Sequence, residues 1–215
     1  MNLLSINVGL PRTVEWRGKT IYTSIFKAPV SGRIRVTMLN LEGDRQSDLS
    51  VHGGPEKAVY AYPGEHYAFW REKLPEMELS WGAFGENFTT EGMLESAVCI
   101  GDRFRVGSAE FVVTQPRMPC FKLGIRFGRA DMVKRFLHSG CTGFYLAVLQ
   151  EGEVAVGESL ELISRIEPAV TVAEVVNLYA ADAANQDLLR RASELSALPK
   201  DWREYFRKRL WEPDA

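Results

Sequence analysis

The sequence predicts a mainly β, α+β fold: a β-barrel-like or sandwich-like domain over residues 1–167, then a small three-helix extension over residues 168–215. Three observations predict it. Short apolar segments, several of them alternating, recur up to about residue 165 and are separated by glycine-bearing turns. Only two helical patterns interrupt that series. From Pro168 onward the apolar spacing becomes helical and stays so.

The elements follow in order. Leu3, Leu4, Ile6 and Val8 mark an apolar opening strand. Val14–Trp16 and Ile21–Phe26 flank Arg17-Gly18-Lys19-Thr20, a hairpin signal. Gly32–Met38 alternates as a half-buried strand does. Pro63 is suited to open a helix, and Tyr67, Trp70, Arg71 and Leu74 follow at helical spacing. Phe104–Val106 and Phe111–Val113 bracket Gly107-Ser108, a second hairpin. Met132, Val133, Phe136 and Leu137 form a helical stripe that Gly140 terminates. Gly143–Leu149 and Val154–Val156 flank Glu151-Gly152-Glu153, a third hairpin, and Leu160–Ile163 is placed to close the sheet. Thr171-Val172-Ala173-Glu174 has the form of a capping box and opens the first of three amphipathic helices.

Composition excludes several classes of function. The formal net charge of −2 lacks the basic excess of a general nucleic-acid binder. No apolar run is long enough to span a membrane. Residues 1–10 lack the basic start and small-residue cleavage pattern of a signal peptide, so a cytoplasmic chain is expected. The three cysteines, Cys99, Cys120 and Cys141, are odd in number and widely spaced, which argues against a disulfide framework or a structural zinc site. No dinucleotide or phosphate-loop fingerprint supports NAD or ATP, and no serine-hydrolase elbow is present. The sequence assigns no oligomeric state.

Three stretches are candidates for chemistry. In Val51-His52-Gly53-Gly54-Pro55-Glu56-Lys57, adjacent glycines allow backbone amides to approach an anion, and Arg45, His52 and Lys57 add donors; the alternative is a polar loop whose glycines serve geometry alone. In Phe84-Gly85-Glu86-Asn87-Phe88, Asn87 both donates and accepts, which suits a heterocycle edge; the alternative is a tight turn. In Thr114-Gln115-Pro116-Arg117-Met118-Pro119-Cys120-Phe121-Lys122-Leu123, prolines set Cys120 on a rigid loop between two cations. Nearby cations favour the thiolate, the form that attacks and binds soft metals. Cys99 lies in an apolar run and reads as structural, as does Cys141 on balance. His66 and His138 read as packing or helix-end residues, Asp44 and Asp48 as solvated loop acids, and Trp81, Phe84, Phe121 and Phe127 as core.

Together these stretches resemble the MOSC family, named for the C-terminal domain of molybdenum cofactor sulfurase. The likeness rests on Gly43-Asp44, His52-Gly53-Gly54 with Lys57-Ala58-Val59, Tyr62 with His66-Tyr67 and Trp70, Phe84-Gly85-Glu86-Asn87, Gly101-Asp102, and Gln115-Pro116-Arg117 with Pro119-Cys120 and Lys122-Leu123. Within the family it is similar to bacterial stand-alone proteins of the N-hydroxylaminopurine reductase type, which also carry a three-helix extension. The resemblance implies a MOSC-type β-barrel, the molybdenum cofactor (molybdenum with a pyranopterin), and Cys120 as catalytic residue and metal ligand. It implies His52, Gly53, Gly54, Lys57, Asn87, Arg117 and Lys122 as cofactor-binding residues. The implied activity is reductive removal of oxygen from a small N-hydroxylated substrate, with electrons from a separate reductase partner. Two other readings of Cys120 remain open at this stage: a persulfide-bearing sulfur carrier, and a non-catalytic cofactor-binding protein.

Overall fold

The computed structural model describes residues 1–47, 53–180 and 185–211. Twelve strands and six helices are set among these residues. The strands are β1 (Asn2–Val8), β2 (Arg12–Trp16), β3 (Lys19–Thr23), β4 (Ala28–Val30), β5 (Arg33–Val36), β6 (Val59–Pro63), β7 (Phe88–Glu91), β8 (Arg103–Val106), β9 (Ala109–Pro116), β10 (Phe144–Gln150), β11 (Gly152–Ala155) and β12 (Glu161–Ser164). The helices are α1 (His66–Lys73), α2 (Phe121–Phe127), α3 (Met132–Ser139), α4 (Val172–Ala180), α5 (Gln186–Glu194) and α6 (Lys200–Trp211).

Eight strands form one sheet in the order β12-β8-β9-β10-β6-β7-β1-β4. Neighbours are antiparallel except β6 and β7, which run parallel and therefore need the crossover that contains α1. The sheet curls into a half-barrel. Backbone bonds tie its far sides together: Gly157 N donates to Leu3 O at 2.8 Å, Leu3 N to Glu158 O at 2.9 Å and Leu160 N to Met1 O at 2.9 Å.

Several expectations are corrected here. The segment around Glu151-Gly152-Glu153 does not fold β10 and β11 into a hairpin; β11 pairs with β5 instead. Gly152 also packs closely on the turn between β8 and β9, where a Cβ would lie 2.5 Å from the Ser108 carbonyl carbon. Pro63 ends β6 rather than opening a helix, and α1 begins three residues later. The β2–β3 hairpin turns on Arg17-Gly18 alone, both at positive φ, and stands as a separate two-stranded sheet. Strand β12 lies at one edge of the main sheet, beside β8.

Two apolar clusters hold the molecule together. One joins the inner face of the sheet (Phe88, Phe104, Phe111, Val113, Leu146) to the C-terminal helices through Val172, Val175, Leu178, Leu189 and Phe206. The other is aromatic. Tyr62, Tyr67, Trp70, Phe84, Phe127 and Phe136 pack α1, α2 and α3 against β6. Burying each such ring stabilises the fold by roughly 1.5–3 kcal/mol. The capping box forms as its residues predict: Glu174 N donates to Thr171 Oγ1 at 3.1 Å and Thr171 N to Glu174 Oε2 at 2.7 Å.

Candidate functional site: a cationic pocket around Cys120

Strand β9 leads directly into the site. Its last residue, Pro116, still faces Phe144 of β10, and Arg117 N donates to Gly143 O at 3.1 Å. Pro119 then precedes Cys120, whose extended backbone (φ −119, ψ 173) makes it the cap residue of α2. Sequence reading placed Cys120 on a loop and missed this helix. Its seven residues include a glycine, and Gly124 sits where a side chain would strike the Arg129 carbonyl.

A cavity of about 90 Å³ opens beside Cys120. Thr23 at the end of β3 and Ser24, Ile25 and Lys27 just beyond it line the cavity, with Asp44, Gln46 and Ser47 from the loop after β5, and Tyr60 and Tyr145 from the sheet. Arg117, Lys122, Lys57, Gly85 and Asn87 complete the wall. A wider groove of about 550 Å³ lies by Leu4, Pro29, Val30, Trp81 and Val156, but it has no thiol and little polar lining. The smaller cavity is the candidate site, because it brings the Cys120 thiol together with charged side chains.

The electrostatics favour anions. Arg117 is buried, and its guanidinium lies 5.1 Å from the ring centres of both Tyr60 and Phe136. Burial acts to lower its pKa, yet Tyr60, Tyr145 and Cys120 together raise it, so it stays charged. Its Nη1 is buried without a hydrogen-bond partner among the described residues, as is the Ser24 hydroxyl. Orphaned buried donors are costly and are expected where a ligand completes them. Lys122 Nζ donates to Ser47 Oγ at 3.2 Å, and the Lys57 carbonyl accepts from Gln46 Nε2 at 2.9 Å.

An ion pair shapes the far wall. Lys27 and Asp44 bond directly, with side chains 8% and 1% exposed. Asp44 also accepts from Gly9 N at 2.8 Å and from Asn87 Nδ2 at 2.9 Å. Burial lowers the Lys27 pKa, and the Asp44 charge opposes that shift. The solvated-acid expectation for Asp44 is therefore overturned: neighbours from three segments hold it inside. Asn87 accepts from Tyr60 N at 3.1 Å and donates to Asn7 O at 3.3 Å. Its amide is committed to the fold, and its contribution to the pocket is to aim Asp44. Beneath it, buried Glu86 bonds Tyr67 and accepts from Gly82 N at 2.8 Å and Phe84 N at 3.1 Å, which locks the turn carrying Asn87. Burial raises the Glu86 pKa.

Of the residues expected at the site, the structure gathers Cys120, Lys57, Asn87, Arg117 and Lys122 around one cavity. Gly53 and Gly54 stand outside its lining. Gly54, at φ 91, starts the short 3-10 turn Pro55–Lys57 that presents Lys57. His52 and Asp48 lie outside the described residues. Trp81, Phe84 and Phe127 join the aromatic cluster, whereas Phe121 is 53% exposed, because it occupies the outward face of the first turn of α2. Cys99 is buried as expected. Lys27 and Ser24 were missed. Nothing beside Lys27 in sequence marks it, since its partner stands 17 positions on.

A curled β half-barrel followed by three helices defines a class of protein, and comparison with known proteins agrees with that fold. The MOSC domain profile matches residues 48–161, and the profile of the YiiM-like, 3-alpha helix domain matches residues 170–211. The chain belongs to the MOSC family, in its YiiM-like form with the helical extension. It is 46% identical over 208 residues to YflK of Bacillus subtilis, covering 97% of this chain and 94% of that one. It is 35% identical to a protein of Gibberella moniliformis named "Reductase", over 83% of this chain and 32% of the longer fungal protein. The crystal structure of YiiM from Geobacillus stearothermophilus superposes with a TM-score of 0.81 at 35% identity, covering 97% of this chain and 98% of that one. MOSC domains are associated in general with molybdenum cofactor binding. Among the described residues, no helix is long and apolar enough to cross a membrane.

Proposed function

We propose that this protein binds the molybdenum cofactor at the Cys120 pocket and reduces small N-hydroxylated compounds, N-hydroxylaminopurines among them, to the corresponding amines. The observation that carries the reading is the pairing of a half-buried thiol with an arginine whose buried Nη1 lacks a partner among the described residues. Among the described residues, no three His, Cys, Asp or Glu side chains converge as a metal site. A single thiolate suits a metal that brings its other ligands with it. When bound, the cofactor supplies two-electron oxygen-atom chemistry.

The chain's residues then have defined tasks. Cys120 is the protein ligand. Arg117, Lys57 and Lys122 hold the cofactor's anionic groups, with the Ser24 hydroxyl as a further donor. Asn87 and Asp44 fix Lys27 at the pocket wall. Tyr60 and Tyr145 exclude water from the inner side. The electrons come from a separate reductase. The fungal relative's name is consistent with reductive chemistry.

The test is elemental analysis of protein made in a host that synthesises the cofactor. Wild type is expected to retain near-stoichiometric molybdenum, and Cys120→Ala to lose it while keeping its circular dichroism spectrum. Wild type should then convert an N-hydroxylated purine to the amine with an artificial electron donor. Full molybdenum and full activity in Cys120→Ala would overturn the assignment. A persulfide on Cys120 without molybdenum would move it to sulfur transfer.

A further inference from the structure

A second cationic feature borders the Cys120 pocket and takes no part in lining it. Phe26 stands between Ile25 and Lys27, which do line the cavity. Two guanidiniums lie over its ring, that of Arg12 from β2 at 3.5 Å from the ring centre and that of Arg126 from α2 at 5.5 Å. Cation–π contact accounts for each arginine singly. It does not account for two like charges brought to one ring. Among the described residues neither arginine is ion-paired with a carboxylate, and Arg126 Nε is buried without a hydrogen-bond partner. Arginines elsewhere on the molecule are paired: Arg129 with Glu76 and Asp131, Arg105 with Glu110 and Arg165 with Asp102. Burial lowers the Arg126 pKa and Arg12 adds to that shift, while Tyr67 and Glu86 oppose it. An anion placed between the two guanidiniums would relieve their repulsion.

The pair is joined to the pocket through α2. Lys122 and Arg126 are four residues apart in that helix and share one of its faces, and Lys122 lines the cavity. Cationic side chains thus follow one another from the cavity along α2 to Arg126, and across Phe26 to Arg12. Guanidiniums recognise phosphate through paired N–H donors set in a plane, a match that a single carboxylate or halide does not make as fully. We propose, resting for its base end on the function given above, that Arg12 and Arg126 hold the phosphate group of a purine nucleotide whose base reaches the Cys120 pocket. The favoured form of the substrate is then the N-hydroxylated nucleotide, ahead of the nucleoside or the free base.

The two arginines divide the work. Arg12 is exposed on the β2–β3 hairpin, so a ligand meets it from solvent. Arg126 is half-buried in the last turn of α2, so the fold holds it in place. Its guanidinium sits in the same helix that Cys120 caps, which fixes the spacing between phosphate site and thiol. Inorganic phosphate offers the same oxygens as the nucleotide and lacks the base, and the two are separated by direct comparison.

The experiment is isothermal titration of the full-length chain, made in a cofactor-producing host, with adenosine 5′-monophosphate, adenosine and inorganic phosphate in turn. These probes resemble the amine product and need no turnover. The monophosphate is expected to bind about tenfold or more tightly than either adenosine or phosphate. Arg12→Gln with Arg126→Gln should bring its affinity down to that of adenosine and leave adenosine binding unchanged. Arg12→Gln alone, at an exposed position, should lose a substantial part of the advantage and serves if the double variant fails to fold. Equal affinity for monophosphate and adenosine would overturn the proposal. So would inorganic phosphate binding as tightly as the monophosphate, or an advantage that survives in the folded variants. A chain without molybdenum that still prefers the monophosphate in this Arg12- and Arg126-dependent way would sink the reductase reading and leave the nucleotide site standing.

Discussion

Lys27 and Asp44 illustrate what single residues do here. Two opposite charges leave water together, and the carboxylate finds further donors in Gly9 and Asn87. Removing one partner of such a pair leaves a buried charge alone. Asp44→Asn is therefore expected to destabilise the protein by about 3 kcal/mol in urea titration, and Lys27→Met added to it to recover part of the loss. His66 sets a pH dependence. Its folded-state pKa, about 10, stands above the 6.5 of an unperturbed histidine. The stability it contributes is fully present below about 6.5 and is lost as pH rises through the folded value near 10. Denaturation midpoints measured across that window should fall more steeply for wild type than for His66→Gln. At the same scale lies the Cys120→Ala test, which predicts loss of molybdenum with the fold retained.

At the scale of elements, Gly143 joins the pocket to the sheet. It sits at φ +63, and a Cβ there would lie 2.4 Å from Ala61 O and 2.8 Å from the Tyr60 ring. Its carbonyl receives the Arg117 amide and its own amide is held by Glu95. Gly143→Ala should cost about 2 kcal/mol or more by thermal or chemical denaturation. Because the strain falls on β6 and β10, it should also disturb the pocket residues Tyr60 and Tyr145, which near-ultraviolet circular dichroism would register. Much of this level was legible beforehand. The opening strand, the Gly107-Ser108 hairpin and the Thr171 capping box rest on local pattern and turn chemistry, and they form where those patterns lie. Strand β6 and helix α2 were not legible. Val59–Pro63 is buried on both faces and shows no alternation, and α2 is too short to display a period.

At the scale of the whole molecule, the C-terminal helices are part of the core. Val172, Val175, Leu178 and Phe206 share one apolar cluster with Phe104 and Phe111 of the sheet. Trp202 Nε1 donates to Gln115 Oε1 at 2.8 Å, on the strand that leads to Cys120. The full chain is expected to unfold in a single cooperative transition by calorimetry. A chain ending at Arg165 should bind a hydrophobic dye and lose that transition, since its removal uncovers the sheet's inner face. Two well-separated transitions in the full chain would contradict a shared core.

By itself, the sequence determined the α+β class, the change to helix near Pro168, and the placing of Cys120 among cations, because Arg117 and Lys122 are its near neighbours along the chain. Periodicity, capping and turn chemistry are local properties and can be read locally. Only the tertiary structure decided that β11 pairs with β5, that Lys27 meets Asp44, and that His66 meets Glu95. Those contacts join segments far apart in sequence. They depend on how the sheet curls and which backbone groups it leaves to be satisfied, and no local pattern encodes either.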